Sequence, residues 1–321
     1  MDGTNTDQDP YTCQSQTSEY PGICIFKSLS LIGYGNPMAQ IRCSEGNGLI
    51  FNGSYKGEQM NVTISRLFVN ESFVRFEDSS VLIDGCKFQA SKQGVTFVIR
   101  QKRSSSIHFA NSTFSKNKQC ISVVVSRGKT TSQDVEVMFK MTNSLFDGNF
   151  LSDDGGCISF TESPNTNKSL ISNIILENVT CSRNRFSSRG LIFVQVDNST
   201  YNVNLLNVTF IDNSPSSERD VERSNGYSEC VFRSTTVNIS VSASNFTSDS
   251  ARLFNVSASN ISLQVCNSTF SGHRVKGKGG VISLNGTKIC KLSVSGSSFF
   301  NTSASQEIGR ASCRERVYVL V

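Results

Sequence analysis

Apolar and polar residues alternate along much of the chain, and short alternating segments recur about every 30 residues. When eight core positions are aligned, the residues five and seven places earlier are apolar in every segment. This alternation predicts β-strands with one buried face. The aligned core positions are Phe88, Phe114, Phe146, Cys181, Phe210, Phe246, Phe270 and Phe299.

Asn, Gly or Ala stands three residues before each core position. Asn and Gly tolerate left-handed backbone, so the chain is expected to bend at the same place in every segment. At the strand spacing of about 4.8 Å, stacked amides can bond to one another. We therefore predict a structural, inward-facing ladder formed by Asn111, Asn143, Asn178, Asn207 and Asn267.

A second apolar strand follows each core position after a connection of variable length, for example at 95–97, 120–122 and 191–193. One such unit cannot bury its own apolar face, but a stack of units can. Variable repeat length with a fixed strand register favours a parallel β-helix over a propeller. We predict an all-β chain whose residues 25–304 form a right-handed parallel β-helix of about nine coils, after a polar leader or incomplete N-terminal cap at 1–24.

Composition agrees with this fold and excludes several others. Ser and Asn supply 53 and 28 of the 321 residues, and both compete with the helical backbone for hydrogen bonds. No apolar run approaches the roughly 20 residues of a membrane helix, so no membrane span is expected in this fragment. The net charge of +5 is small and dispersed, which gives no basis for binding nucleic acid.

Two short motifs carry a family resemblance. Phe-x-x-Asn at 114–117, 146–149 and 210–213, and Gly-Gly-x-Ile at 155–158 and 279–282, resemble the repeats of chlamydial polymorphic outer membrane proteins. Residues 30–43 resemble the opening coil of β-helical surface proteins from eukaryotic microbes. The resemblance implies a pectin lyase-like fold and display at a surface. Phe88, Phe246 and Phe270 lack the following Asn, and Cys181 replaces the Phe, so the match to one family is incomplete.

Residues 307–321, EIGRASCRERVYVLV, resemble the translation of a common sequencing adapter. We therefore interpret 305–321 as an artefactual tail and expect the authentic chain to extend beyond this fragment. The polar N-terminus shows no apolar signal segment, so signal and anchor are expected outside the fragment.

Fifteen Asn-x-Ser/Thr sequons occur, against about six or seven expected from composition. This excess predicts an extracellular or cell-surface glycoprotein. Asn111, Asn178, Asn207 and Asn267 are expected to be poor acceptors because they fall on the predicted inward ladder. The other eleven are glycosylation candidates: Asn52, Asn61, Asn70, Asn167, Asn198, Asn238, Asn245, Asn255, Asn260, Asn285 and Asn301.

Ten of the eleven cysteines lie outside the adapter-like tail. Cys13, Cys24 and Cys43 are disulfide candidates, because a small N-terminal cap gains most from such bonds. The cysteines within the repeats, such as Cys120 and Cys157, fit either disulfides or buried free thiols. With no C-x-x-C pair and only two His, we predict no metal site and no cofactor.

Catalytic chemistry has little support in the sequence. The adjacent acids Asp153 and Asp154 precede two glycines and are better explained by a turn than by a glycosidase pair. Residues 273–276 are similar to polygalacturonase His and Arg-x-Lys elements, but their spacing differs from that of those enzymes. No catalytic residue is therefore predicted.

The leading hypothesis is a non-enzymatic, secreted or cell-surface β-helix that acts as a spacer, adhesin or recognition scaffold. Its expected partners are extracellular glycans or surface proteins. The alternative is a fragment of a polysaccharide lyase, a glycoside hydrolase or a carbohydrate-binding β-helix protein.

Overall fold

The computed structural model describes residues 11–13, 22–35, 37–43, 48–53, 60–99, 104–125, 135–152, 156–162, 170–187, 189–216, 227–248, 251–278, 280–306 and 317–320. In this part of the chain the regular structure is built from strands, and every strand pairing is parallel. Most strands are short and pair with the equivalent strand one coil later, so the chain is a parallel β-helix, as predicted.

Three faces run along the stack, and we call them faces A, B and C in the order in which the chain passes through a coil. Five long strands each continue around a corner from one face to the next: β15 (Val135–Asp147), β17 (Leu170–Ser182), β23 (Ser228–Ser242), β25 (Arg252–Cys266) and β28 (Ile282–Ser295). Face A contains β3 (Leu29–Ile32), β6 (Met60–Ser65), β9 (Ser79–Asp84), β12 (Ser105–Ala110), β15 (Val135–Asp147), β17 (Leu170–Ser182), β20 (Thr200–Leu206), β23 (Ser228–Ser242), β25 (Arg252–Cys266), β28 (Ile282–Ser295) and β31 (Val317–Leu320).

Face B is the narrowest, with about three residues per strand. It contains the ends of β15 and β17 together with β1 (Tyr11–Cys13), β4 (Ala39–Cys43), β7 (Leu67–Asn70), β10 (Lys87–Gln89), β13 (Thr113–Ser115), β21 (Thr209–Ile211), β24 (Asn245–Thr247), β26 (Thr269–Ser271) and β29 (Ser298–Phe300).

Face C closes each coil and contains the first halves of β23, β25 and β28. Its other strands are β2 (Gly22–Ile25), β5 (Gly48–Asn52), β8 (Phe73–Glu77), β11 (Val95–Ile99), β14 (Ile121–Val125), β16 (Ile158–Glu162) and β19 (Ile192–Gln195). Two small pairs lie beside the stack: β18 (Arg185–Phe186) with β22 (Ser214–Pro215), and β27 (Arg274–Lys278) with β30 (Ser303–Gln306).

The strand register matches the sequence alignment residue for residue. The eight core positions from Phe88 to Phe299 are consecutive register partners along face B. The apolar row from Ile83 to Val294, five residues earlier, is likewise in register along face A. From β4 to β29 face B holds ten strands, against about nine predicted coils, because residues 39–43 form a coil before β7, and β1 adds one more strand before β4. Nine inter-coil steps give a stack about 43 Å long.

Sharp bends with left-handed backbone separate face B from its neighbours. The first bend lies three residues before each core position and has φ between +48° and +60°. The second bend lies two residues after the core position and, in the coils that show it, has φ between +50° and +76°. Asn and Gly occupy most first-bend positions, as the sequence indicated. The bends keep face B short and return the chain to the core on both sides.

The first-bend asparagines point outward, so the predicted inward ladder was wrong in its direction. Asn111, Asn143, Asn178, Asn207 and Asn267 are all exposed. The left-handed residue turns the corner with its side chain outside, and the next residue, such as Ser112 or Ser144, returns to the interior. Four of the five amides still stack as expected, and the first of them, Asn111, donates to the Asp84 carboxylate of the preceding coil. We call this row the seam ladder: Asp84, Asn111, Asn143, Asn178 and Asn207.

A different set of asparagines forms the buried ladder. Each lies three residues after a core position and is essentially inaccessible to solvent. Each side-chain amide donates to the carbonyl of the preceding coil's core residue, as in Asn149 Nδ2 to Phe114 O at 3.0 Å. Its carbonyl accepts from the backbone and amide of the preceding ladder residue, at 2.9 and 3.1 Å for Asn149 Oδ1 and Asn117. We call this the core ladder: Asn117, Asn149, Asn184 and Asn213.

Stacked aromatic rings fill the interior next to face B. Phe88, Phe114 and Phe146 stack with ring centroids 4.9 Å apart, and Phe246, Phe270 and Phe299 continue the column at 5.4 and 4.6 Å. Offset ring stacking adds to the large apolar area that each ring removes from water. The column is interrupted at Cys181, which takes the place of a Phe.

Ala243 occupies the first-bend position on the coil after Asn207, where the seam ladder ends, and it holds a left-handed φ of +48°. Left-handed backbone costs a residue with a Cβ about 1 kcal/mol, and Asn bears it better than Ala. We expect Ala243→Asn to raise the free energy of unfolding by about 1 kcal/mol, measured by urea denaturation. Ala243→Gly relieves the strain without adding an amide and should stabilise less, because glycine loses more chain entropy on folding. An Ala243→Asn protein no more stable than the wild type would contradict this interpretation.

Candidate functional site

A shallow groove crosses the outer face of the stack on face A. It has a volume of about 540 Å³ and spans the coils of β15, β17, β20, β23 and β25. Most of the lining consists of outward-facing residues in register, because alternate residues of a strand point away from the core, and the core residues Val203 and Ile239 contribute between them. The lining residues are Met138, Asn173, Ile175, Asn202, Val203, Asn204, Asn238, Ile239, Ser240, Ser262 and Gln264.

Stacked amides run along the floor of this groove. Asn202 Nδ2 donates to Asn173 Oδ1, and Asn238 Nδ2 donates to Asn202 Oδ1, both at 3.0 Å. The row ends at a carboxylate, because Asn173 Nδ2 donates to Glu136 Oε1 at 3.0 Å. We call Asn173, Asn202 and Asn238 the groove ladder. Asn173 and Asn202 each use one donor and one acceptor in the row, and Asn238 uses one donor, so all three keep further hydrogen-bonding capacity for a ligand.

The groove lining is uncharged and combines polar with apolar groups. Its amides and the hydroxyls of Ser240 and Ser262 offer donors and acceptors at the coil spacing of about 4.8 Å. Met138 and Ile175 supply apolar surface beside them. The lining residues include no carboxylate, imidazole or thiol, and the Glu136 carboxylate lies at the end of the groove ladder. This arrangement suits an extended, neutral ligand that carries many hydroxyl groups.

The strongest perturbation of an acid lies inside the stack and away from the groove. Glu229 is fully buried, and neither carboxylate oxygen has a hydrogen-bond partner among the described residues. Burial raises the pKa of Glu229 well above its ordinary range, and the nearby Ser248 hydroxyl offsets this only in part. Burial likewise raises the pKa of the Cys157, Cys181 and Cys230 thiols. These groups are therefore protonated and closed to substrate, and they belong to the core.

Glu229 makes the stability of the stack depend on pH. Because its folded pKa lies above the unfolded value of about 4.3, the folded state holds a proton that the unfolded state releases. Stability should therefore fall as the pH rises from about 4 toward the folded pKa. We expect Glu229→Gln to match the wild type near pH 4 and to melt at a higher temperature at pH 8. Glu229→Met should show the same loss of pH dependence, and an unchanged pH profile in both variants would contradict the assignment.

Among the described residues, the acidic and basic side chains considered in the sequence are not brought together into a catalytic site. Asp153 and Asp154 lie outside the described residues. His273 is fully buried, with Nδ1 2.9 Å from the Ala251 carbonyl oxygen, and it occupies the core-ladder register. Asp147 binds Arg183 at 2.6 Å, and this contact lowers the pKa of Asp147. Within the described part of the chain, no three His, Cys, Asp or Glu side chains are placed to hold a metal ion.

The cysteine candidates differ in state. Cys43 is buried and disulfide-bonded, and the side chain of Cys13, its register partner on β1, is outside the described residues. Cys24 is a half-buried free thiol and does not join a disulfide. Cys290 is also disulfide-bonded. The repeat cysteines Cys120, Cys157, Cys181 and Cys230 are buried free thiols, one of the two alternatives that the sequence left open.

None of the described glycosylation candidates is buried. Asn167 is outside the described residues. Asn238 lies in the groove itself, and Asn198 and Asn301 occupy left-handed bends. The remaining described candidates, all exposed or partly exposed, are Asn52, Asn61, Asn70, Asn245, Asn255, Asn260 and Asn285.

Sequence reasoning identified neither the groove ladder nor the core ladder. The core ladder had a signal, because its members Asn117, Asn149 and Asn213 are the Asn of the Phe-x-x-Asn motif. Asn173, Asn202 and Asn238 share one register eight residues before the core positions, but they lie on outward positions with no apolar pattern. Aligning the outward rows as well as the inward rows would have shown them.

Fold and groove together define this chain as a parallel β-helix with a neutral, amide-lined outer groove. In the part of the chain that the structure describes, no helix has the length and apolar character needed to cross a membrane.

Comparisons with known proteins give no family. No family model matches the chain, and no curated protein matches it. Among solved structures it is similar to the catalytic domain of a GH87 alpha-1,3-glucanase, once as a variant in complex with tetrasaccharides and once in complex with nigerose. The TM-scores are 0.33 and 0.26, each with 10% identity over 97% of this chain. In both cases the match spans 62% of the glucanase chain.

Proposed function

We propose that the chain is a non-enzymatic recognition scaffold, secreted or displayed at a cell surface, that binds neutral glycans along the groove on face A. The observation that carries this proposal is the groove ladder, which presents amides in register across adjacent coils. A rigid row of this kind matches a polymer that repeats its hydroxyl groups along its length. The excess of sequons supports an extracellular location.

The nature of the lining favours neutral over charged glycans. Binding an acidic polysaccharide would call for Lys or Arg in the groove, and none lines it. The lining also lacks aromatic rings. Affinity would therefore rest on hydrogen bonds and on apolar contacts to Met138 and Ile175, with each neutral hydrogen bond contributing about 1 kcal/mol.

We expect Asn202→Ala to weaken binding of a neutral polysaccharide about tenfold, because it removes the central amide and breaks the row on both sides. The measurement is a glycan array followed by calorimetry on protein made in a bacterial host, which leaves Asn238 unmodified and the groove open. Neutral and acidic polysaccharides should be compared side by side.

Asn245→Ala is the matched control, because Asn245 is an exposed Asn of face B outside the groove. It should bind as the wild type does. Equal binding by the wild type and Asn202→Ala, or a preference for acidic glycans, would contradict the proposal.

A further inference from the structure

Four of the exposed first-bend asparagines begin identical surface motifs. Asn111, Asn178, Asn207 and Asn267 each stand at the bend, and each is followed two residues later by a Thr on the outer side of face B. Asn143 occupies the same place, but Leu145 stands where the Thr would be. The repeat therefore presents one N-glycosylation sequon in the same orientation on four coils.

We propose that this edge of the stack is an N-glycan seam. Of the neighbouring sites Asn178 and Asn207, only one carries a glycan in any one molecule. The inference rests on the extracellular location in the proposed function. It reverses the expectation that these asparagines are poor acceptors, because that expectation depended on their being buried.

Chemistry within the seam ladder permits the modification. Asn178 Nδ2 donates to Asn143 Oδ1 at 2.9 Å, and Asn207 Nδ2 donates to Asn178 Oδ1 at 2.8 Å. An amide nitrogen carries two hydrogens, so a glycosylated Asn keeps one donor and its carbonyl acceptor. In the transfer, Nδ2 forms a bond to C1 of a lipid-linked oligosaccharide, the bond from C1 to the pyrophosphate oxygen breaks, and the displaced Nδ2 proton passes to solvent.

Spacing along the seam limits how many glycans fit. Asn178 and Asn207 lie on adjacent coils, about 4.8 Å apart, which is narrower than an N-acetylated sugar ring. Asn143 separates Asn111 from Asn178, and Ala243 separates Asn207 from Asn267. Three glycans therefore fit on the four sites.

Asn267 has the most room of the four. Its flanking seam positions are Ala243 and Gly296, which carry no amide. Its side-chain oxygen lies over Gly296, where the Cβ of any other residue would collide with it. A glycan at Asn267 thus has no competing Asn on either neighbouring coil.

The test uses the full chain secreted from a eukaryotic host behind an added signal peptide. After enzymatic deglycosylation each formerly modified Asn becomes Asp, so mass spectrometry of the long fragment 169–276 reads Asn178 and Asn207 on the same molecule. We expect Asn111 and Asn267 to be modified, and Asn178 and Asn207 to be modified on different molecules. Two results would overturn the seam without contradicting the extracellular location. The first is that the seam sites carry no glycan while sequons elsewhere in the chain do. The second is that secreted molecules are modified at both Asn178 and Asn207. A chain with no glycan anywhere would overturn both.

Substituting the Thr of a sequon removes the glycosylation signal and keeps the Asn amide in the seam ladder. Thr209→Ala removes the Asn207 sequon but keeps its amide, so occupancy of Asn178 in the secreted pool should rise to near completion. Thr269→Ala is the matched control two coils from Thr209, and it should leave occupancy of Asn178 and Asn207 unchanged. Equal occupancy of Asn178 in both variants would also overturn the assignment of a single glycan to this pair of sites.

Discussion

Replacing Asn149 by Ala is expected to lower the free energy of unfolding by about 3 to 5 kcal/mol. Asn149 is fully buried in the core ladder, where it bonds to both neighbouring coils. Its removal leaves the Asn117 N–H without its side-chain acceptor and takes a donor from the Phe114 carbonyl, and a buried group left unpaired costs about 1 to 3 kcal/mol. Urea denaturation and the thermal midpoint both report the loss.

A matched control lies in the same coil. Asn143 belongs to the seam ladder and is exposed, and Asn143→Gly keeps its left-handed backbone. This variant should change stability by less than about 1 kcal/mol, because water replaces the lost hydrogen bonds. Similar losses in Asn149→Ala and Asn143→Gly would contradict the assignment of the buried ladder.

Replacing Phe114 by Ala should destabilise the chain by about 3 to 5 kcal/mol. Its ring is fully buried, stacks on Phe88 and Phe146 at 4.9 Å and meets Phe109 edge-on at 5.7 Å. Truncation removes these contacts and leaves a cavity that in-register coils cannot close by sliding, because each strand is fixed by its neighbours. Chemical denaturation followed by circular dichroism measures the effect.

Phe150 provides the control for Phe114, because its ring is 56% exposed and contacts the Arg185 guanidinium at 5.6 Å. Phe150→Ala should cost about 1 kcal/mol or less. If the two alanine variants were equally stable, the aromatic column would not be a main source of stability.

The inward half of each coil was predictable from sequence, and the outward half was not. Burial selects apolar residues, so the rows through Phe88 and Ile83 could be aligned and their register read directly. The bend at Asn111 was also predictable from its residue type, but its direction was not. A left-handed residue reverses the alternation of inward and outward side chains along the strand. A prediction based on that alternation therefore placed the Asn111 side chain inside the stack, whereas it points outward.

The groove was missed for a different reason, although an alignment of the outward rows would have shown its ladder. Asn173 and Asn202 come together only because connections of unequal length bring β17 and β20 into register. Outward polar positions tolerate many residue types, so no pattern marks the few that line a ligand site. For the same reason the sequence did not distinguish Asn149 from Asn143. Both are Asn, but Asn149 is buried in the core and Asn143 is exposed to solvent.

If the groove binds a neutral glycan without cleaving it, a bound polymer keeps its length. The protein is incubated at saturation with the neutral polysaccharide that binds it best, and chain length is followed by size-exclusion chromatography. We expect binding that depends on Asn202 and a polymer of unchanged length. A polymer that shortens with the wild type and not with Asn202→Ala would contradict this expectation and identify the groove as the active site of a polysaccharide-cleaving enzyme.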